Sequence, residues 1–156
     1  MKNVKINYRS IAERLWGNGG TKAYRTTRKG FYYYTCSGHG GYVIKDSALT
    51  DQEKETLKKY GQFTEIVSRL VSPDGNCWGV FYGNIPGHGN FKRSFRSPSG
   101  SEWIDEKVWI FEEDCDWALV EKVTGVRLKK AYSHTPERHN ELIENTYEQW
   151  HKKKVS

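Results

Sequence analysis

The chain has 156 residues, a formal net charge of +6 and an aromatic fraction of 14%, with six Trp and ten Tyr. This length fits a single domain, whose core large rings can build although aliphatic residues are few. No apolar run reaches the roughly 18 residues of a membrane-spanning helix, and the first residues lack the apolar run of a signal peptide. We therefore expect one cytoplasmic domain over residues 1–156 with no membrane partner.

The first third of the chain predicts a helix followed by an antiparallel meander. Residues 8–16 carry apolar side chains at helical spacing, and the run W-G-N-G-G at 16–20 ends that helix. Residues 22–27, 30–36 and 42–45 have strand character and are joined by short turns.

The middle of the chain predicts a helix, a hairpin and a loop. T-D-Q-E at 50–53 matches a capping box, so a helix should begin there. Residues 63–71 fit a strand or a helix, and their β-branched content favours a strand. The turn signal P-D-G-N at 73–76 separates them from 77–82, so the two segments should pair as a hairpin. Residues 83–103 are rich in Gly, Ser and Pro and predict a long basic loop.

The last third predicts a strand at 107–111, a helix at 112–124 and a terminal helix at about 135–153. Thr135 and Pro136 suit the cap and the first turn of that terminal helix. Together the elements predict an α+β fold, with a largely antiparallel sheet and helices packed mainly on one face.

The glycine-bracketed segment S-G-H-G-G at 37–41 is the first candidate site. Because glycine permits positive φ and a close approach to the backbone, we expect Gly38, His39, Gly40 and Gly41 to bind a ligand, with His39 available as a base. The alternative interpretation is a glycine-rich hairpin turn whose histidine caps local carbonyls.

The second candidate is the acidic run E-E-D-C-D at 112–116. In an enzyme, Glu113 and Asp114 would be the catalytic carboxylates beside His39, and such a run also offers oxygen ligands to a metal. Cys115 suits a thiolate–imidazolium pair with His39 if the fold brings them together. The alternative is compensation of a helix dipole, with Cys115 in the core.

The third candidate is the predicted basic loop. Lys92, Arg93 and Arg96 stand among aromatic residues that include Trp103, a mixture typical of sites for single-stranded nucleic acid or phosphorylated ligands. A solvated loop is the alternative interpretation. The other basic clusters are Lys22–Arg25–Arg28–Lys29, Arg127–Lys129–Lys130 and the tail at 152–154.

The sequence indicates no metal and no cofactor. Cys36, Cys77 and Cys115 form no CxxC pair, and with His39 they match no established zinc spacing. P-loop, dinucleotide-binding, nucleophile-elbow and H-E-x-x-H motifs are absent from the sequence. This pattern favours a binding protein over an enzyme.

Two blocks together resemble a family of small uncharacterised proteins carried by bacteriophages, plasmids and other mobile elements. They are T-C-S-G-H-G-G-Y-V-I at 35–44 and W-I-F-E-E-D-C-D-W-A-L-V at 109–120, preceded by W-G at 16–17. The matching positions are 38–41 and 112–117, and the region 46–106 has no counterpart. The resemblance implies a setting in the host cytoplasm beside anti-restriction and anti-CRISPR genes, and it implies no activity.

The sequence thus leads to a mobile-element accessory protein that counters a host defence system of the anti-CRISPR or anti-restriction type. Such a protein would act by binding a host defence protein or a nucleic-acid-like ligand. The alternative is an enzyme, a nuclease or hydrolase, that uses His39 with the carboxylates of 112–116. A virion or scaffold component is a third option.

Overall fold

The structure is a computed structural model that describes residues 5–17, 20–60, 64–71, 74–85, 89–95, 99–100, 102–112, 116–129 and 133–150. For residues 64–71, 77–85, 89–95 and 102–106 it describes the backbone. The elements, in chain order, are α1 (Tyr8–Trp16), β1 (Lys22–Tyr24), β2 (Phe31–Cys36), β3 (His39–Lys45), α2 (Asp51–Tyr60), β4 (Thr64–Val71), β5 (Cys77–Ile85), β6 (Gly89–Phe95), β7 (Glu102–Glu112), α3 (Asp116–Thr124) and α4 (Pro136–Trp150).

Within the described residues, seven strands form one antiparallel sheet in the order β1-β2-β3-β7-β4-β5-β6. The long strand β7 is inserted between two hairpins, so it pairs with β3 on one side and with β4 on the other. At both ends of the sheet, each strand pairs with the strand that precedes or follows it in the chain. At the centre, β7 pairs with β3 and β4, which are distant from it in the sequence. The predicted α+β fold with a largely antiparallel sheet is confirmed.

Alternate residues of β3 and β7 point to opposite faces of the sheet, and each face has its own hydrophobic core. Val43, Val108 and Ile110 pack under α1, against Ile11 and Ala12. The residues between them face α2 and α3, in a cluster that comprises Phe31, Tyr42, Ile44, Leu49, Leu57, Trp109, Phe111, Leu119, Val120, Val126 and Leu128. Since α4 in turn packs on α3, three helices lie on one side of the sheet and α1 lies on the other. Helices packed mainly on one face, as predicted, are confirmed.

Local capping signals locate the helix ends. The backbone N–H of Thr50 donates to Glu53 Oε1 at 2.9 Å, and the N–H of Glu53 donates to Thr50 Oγ1 at 3.1 Å, so the predicted capping box is confirmed. Thr135 Oγ1 accepts from the N–H of Arg138 at 3.2 Å at the start of α4. That helix ends at Trp150, and the predicted continuation to 153 lies outside the described residues.

The predicted loop at 83–103 is wrong for most of its length. Residues 83–85 end β5, residues 89–95 form β6, and residues 102–103 begin β7. The segment G-N-F-K-R-S-F pairs with β5 over seven consecutive residues, from Ile85↔Gly89 to Gly79↔Phe95. Phe91, Arg93 and Phe95 are spaced two residues apart, as the residues on one face of a strand are. The Pro and Gly residues on either side of the segment indicated a loop instead.

The predicted boundaries around the acidic run also change. The strand predicted at 107–111 runs from Glu102 to Glu112, and the helix predicted from 112 begins at Asp116. The first acidic residue of the run therefore ends a strand instead of opening a helix. This happens because β7 has partners on both sides, and backbone pairing extends the strand beyond its apolar centre.

Candidate functional site

The predicted ligand turn is the tip of the β2–β3 hairpin. Cys36 pairs with His39, so two residues make the connection, and one of them, Gly38, takes a φ of +84° that glycine adopts without strain. Gly40 and Gly41 are buried within β3. The glycines that follow His39 thus belong to the sheet, whereas the His39 side chain is exposed at the start of the strand.

The acidic run reaches the same end of the sheet as this turn. Glu112, the last residue of β7, lies opposite Gly41 in the β3–β7 pairing. Glu113, Asp114 and Cys115 lie outside the described residues. The approach of Glu113 or Asp114 to His39 therefore stays a prediction.

The other predicted ligand residues are not neighbours of the turn within the sheet. Lys92 and Arg93 belong to β6, which three strands separate from β3, or roughly 19 Å along the sheet at the usual strand spacing. Trp103 lies near the start of β7, whereas the turn meets the other end of that strand. Arg96 lies outside the described residues. The residues predicted to bind a ligand are thus distributed over distant parts of the sheet.

Two acid-free stretches of the sequence meet at the β1 edge of the sheet. Neither residues 14–45 nor residues 122–136 contain an Asp or a Glu. The N–H of Thr27 donates to Arg127 O and the N–H of Lys129 donates to Arg25 O, each at 2.9 Å. This pairing joins two basic clusters that are far apart in the sequence.

Four exposed cations result, and we call Lys22, Arg25, Lys29 and Lys129 the basic edge. None of them forms an ion pair with an acidic residue in the described part of the chain. The bridge between Thr26 and Leu128 sets Arg25 directly opposite Lys129, and like charges in that position repel. The basic edge therefore concentrates positive charge that no described carboxylate neutralises.

The two other arginines of these clusters stabilise the fold. Arg28 Nη1 lies 3.0 Å from both carboxylate oxygens of Glu53, and its Nη2 donates to Thr124 O at 2.9 Å. Arg127 Nη1 donates to Glu121 O at 2.8 Å. These contacts attach the basic edge to α2 and α3, so its backbone is held in place.

A polar cluster joins β3, α3 and α4. Tyr42 Oη donates to Glu121 Oε2 at 2.7 Å, and Glu121 Oε1 lies 2.6 Å from His139 Nε2. The other ring nitrogen of His139, Nδ1, lies 2.8 Å from His134 Nε2. The two imidazoles lie edge to edge and nearly coplanar, with centroids 5.0 Å apart and planes inclined at 9°. We call these four residues the histidine cluster; His134 is half-buried and the others are buried.

Glu121 is only 2% exposed, and protein groups, instead of water, contact its carboxylate. Besides Tyr42 and His139, the guanidinium of Arg127 approaches it, with Nε 4.0 Å from Oε1. Because the oxygens of a carboxylate accept hydrogen bonds, His139 donates its Nε2–H to Glu121. His139 Nδ1 is then the atom that faces His134.

The histidine cluster has no adequate signal in the sequence. Glutamate is rarely buried, so a Glu in an amphipathic helix is ordinarily assigned to the solvent side. The two histidines of H-T-P-E-R-H at 134–139 lie on either side of the start of a predicted helix, so the sequence indicates that they are close to each other. Their partner on another helix cannot be identified from spacing.

A groove of about 480 Å³ lies between α2, α3 and α4, but its charged side chains already have partners. Glu53 pairs with Arg28, and Lys122 pairs with Glu144 at 2.6 Å. In the described ranges, no three His, Cys, Asp or Glu side chains converge as metal ligands would. The groove and the acidic side chains therefore add no further candidate to the basic edge and the histidine cluster.

Comparison of the chain with protein-family models, with curated proteins and with solved structures finds no match. The resemblance to mobile-element proteins therefore stays a prediction. Among the helices of the described residues, none combines the length and apolar character needed to cross a membrane.

Proposed function

We propose that the protein is a mobile-element accessory protein that binds a nucleic-acid-like polyanion at the basic edge and in this way counters a host defence system. One observation carries the binding proposal: the pairing of residues 25–27 with 127–129 unites exposed cations without an acidic partner among the described residues. The defence setting rests on the sequence resemblance alone.

A polyanion fits the electrostatics of this edge. Arg25 and Lys129 repel each other across the pairing, and a phosphate between them would turn that repulsion into two attractions. Neutralisation of phosphates also releases condensed counterions, which makes binding favourable and salt-dependent. Arginine adds bidentate hydrogen bonds to phosphate oxygens.

The double substitution Arg25→Ala with Lys129→Ala tests the proposal. We expect affinity for a short fluorescein-labelled DNA duplex, measured by fluorescence anisotropy, to fall about tenfold or more, because two phosphate contacts are lost. The slope of log affinity against log salt should decrease by about two for the same reason.

A matched control removes two cations that already pair within the fold. Lys122 pairs with Glu144 and Arg138 pairs with Glu141, so the Lys122→Ala, Arg138→Ala variant loses the same formal charge elsewhere. If both double variants bind the duplex as the wild type does, the basic edge only prevents edge-to-edge strand pairing, and the binding proposal is wrong. A defence protein retained from host lysate after nuclease treatment would point instead to a protein partner.

The enzyme alternative rests on the β3–β7 register, which brings His39 and the end of β7 to the same end of the sheet. In a nuclease or hydrolase of this kind, His39→Ala would leave the circular dichroism spectrum unchanged and abolish cleavage of the substrate. Nucleic acid that remains intact after prolonged incubation with the wild type would count against a nuclease.

A further inference from the structure

We propose that His134 and His139 form a proton-limited latch: the imidazole pair in contact can hold at most one excess proton, and a second proton opens the pair and releases the start of α4. The proposal is independent of any ligand at the basic edge. It follows from the hydrogen-bond geometry of the histidine cluster.

The limit comes from counting the ring protons. His134 Nε2 and His139 Nδ1 are 2.8 Å apart, a hydrogen-bond distance that requires one N–H and one lone pair. Two imidazoles have four ring nitrogens, so the pair in contact holds at most three N–H protons and one positive charge. In an unfolded chain the same two rings bind four protons in acid.

The charged groups that contact the cluster do not change this count of ring protons, because the count depends only on the contact between the two nitrogens. Glu121 supplies one negative charge and Arg127 one positive charge, and Tyr42 is a neutral donor. Asp116 is the other buried acid of α3. A second imidazolium would lie edge to edge with the first in nearly the same plane, at 9°, with an N–H of each ring directed at the other.

The contact bears on α4 because of where the two histidines lie. His134 directly precedes the cap residue Thr135, and His139 completes the first turn of the helix. His139 N–H also donates to Thr135 O at 2.9 Å, so the cap and the ring contact belong to the same turn. Loss of the ring contact therefore weakens the start of the helix, whereas Ile143 and the Lys122–Glu144 pair still hold its later turns.

The pH dependence of stability should reveal the missing proton. Below the ordinary titration range of histidine, near pH 6.5, the folded wild type binds one proton fewer on this pair than the unfolded chain. His134→Gln removes the mismatch, because its amide can donate or accept and His139 can then carry both protons. As the pH is lowered through this range, the folding equilibrium constant of both proteins can fall. We expect the fall for each pH unit to be up to tenfold larger in the wild type than in His134→Gln.

Urea unfolding from about pH 8.5 to about pH 4.5, roughly two pH units on either side of the ordinary histidine value, measures this difference. The exposed histidine variant His39→Gln is the control and should follow the wild-type curve. Parallel curves for the wild type and His134→Gln would overturn the proposal. Ring-nitrogen NMR gives a second readout: two imidazolium rings in a protein that keeps the contact would also overturn it.

Discussion

Glu121→Ala is expected to lower the free energy of unfolding by about 3–5 kcal/mol at neutral pH, the usual cost when one partner of a buried ionic cluster is removed. The substitution leaves the hydroxyl of Tyr42 and the Nε2–H of His139 without their acceptor in the core. It also leaves Arg127 near a cavity instead of a carboxylate. For a chain of this size the melting temperature should fall by roughly 10 °C.

A control of the same chemistry is available in α4. Glu144 also pairs with a cation, Lys122, but its side chain is 57% exposed, so Glu144→Ala should cost at most about 1 kcal/mol. Glu121→Gln keeps the shape of the side chain and one acceptor, and its effect should lie between the two. Equal losses for Glu121→Ala and Glu144→Ala would contradict the assignment of Glu121 as the centre of the cluster.

Trp109→Ala is the second large effect, and we expect a loss of about 3–5 kcal/mol. Trp109 is fully buried in β7 and stacks near Phe111, so its removal leaves a cavity at the centre of the larger core. Its Nε1–H also donates to Asp46 Oδ1 at 2.9 Å, and the ammonium of Lys58 lies 5.6 Å from its ring centre. Urea unfolding measures the loss, and Trp109→Phe should lose less because the ring still fills much of the space.

The same substitution should change the titration of Asp46. Burial opposes ionisation of this carboxyl, but hydrogen bonds from Trp109 and Lys54, with the ammonium of Lys107, outweigh it and hold its pKa below the usual range. A lowered folded-state pKa adds stability above the unfolded value near 4, and this stability is lost as pH falls through the folded value. In Trp109→Ala the pKa of Asp46 should rise toward its usual value, as carboxyl NMR would detect. An unchanged pKa would mean that the lysines alone set it.

Sequence reasoning located the elements whose signals are local. These signals depend on residues within a few positions of one another. They are the helical spacing at 8–16, the capping box of Thr50 and Glu53, and the turns around Gly38 and Gly75. Such signals act before tertiary contacts form, which is why they can be read directly from the chain. The α+β class follows from their order.

What the sequence did not reveal depends on contacts between distant residues. The strand at 89–95 exists because β5 offers it a partner, and its own Gly, Ser and Lys content argues against a strand. Both basic clusters can be identified in the sequence, but they lie side by side only because residues 25–27 pair with residues 127–129. Glu121 and His139 likewise acquire their role only when α3 and α4 pack together.

The two features that carry our proposals share Arg127. Its backbone pairs with Thr27 at the basic edge, and its guanidinium approaches Glu121 in the histidine cluster. The segment between them, 130–132, lies outside the described residues. A measurement that follows individual backbone amides can therefore separate binding at the edge from opening of the latch.

Amide chemical-shift mapping during titration with a short DNA duplex, at neutral pH, tests the central proposal most directly. Binding at the basic edge predicts that the amides of residues 22–29 and 127–129 shift together and return to their free positions when salt is raised. Shifts confined to the turn at 37–41 or to the strand at 89–95, or no shifts at all, would contradict it.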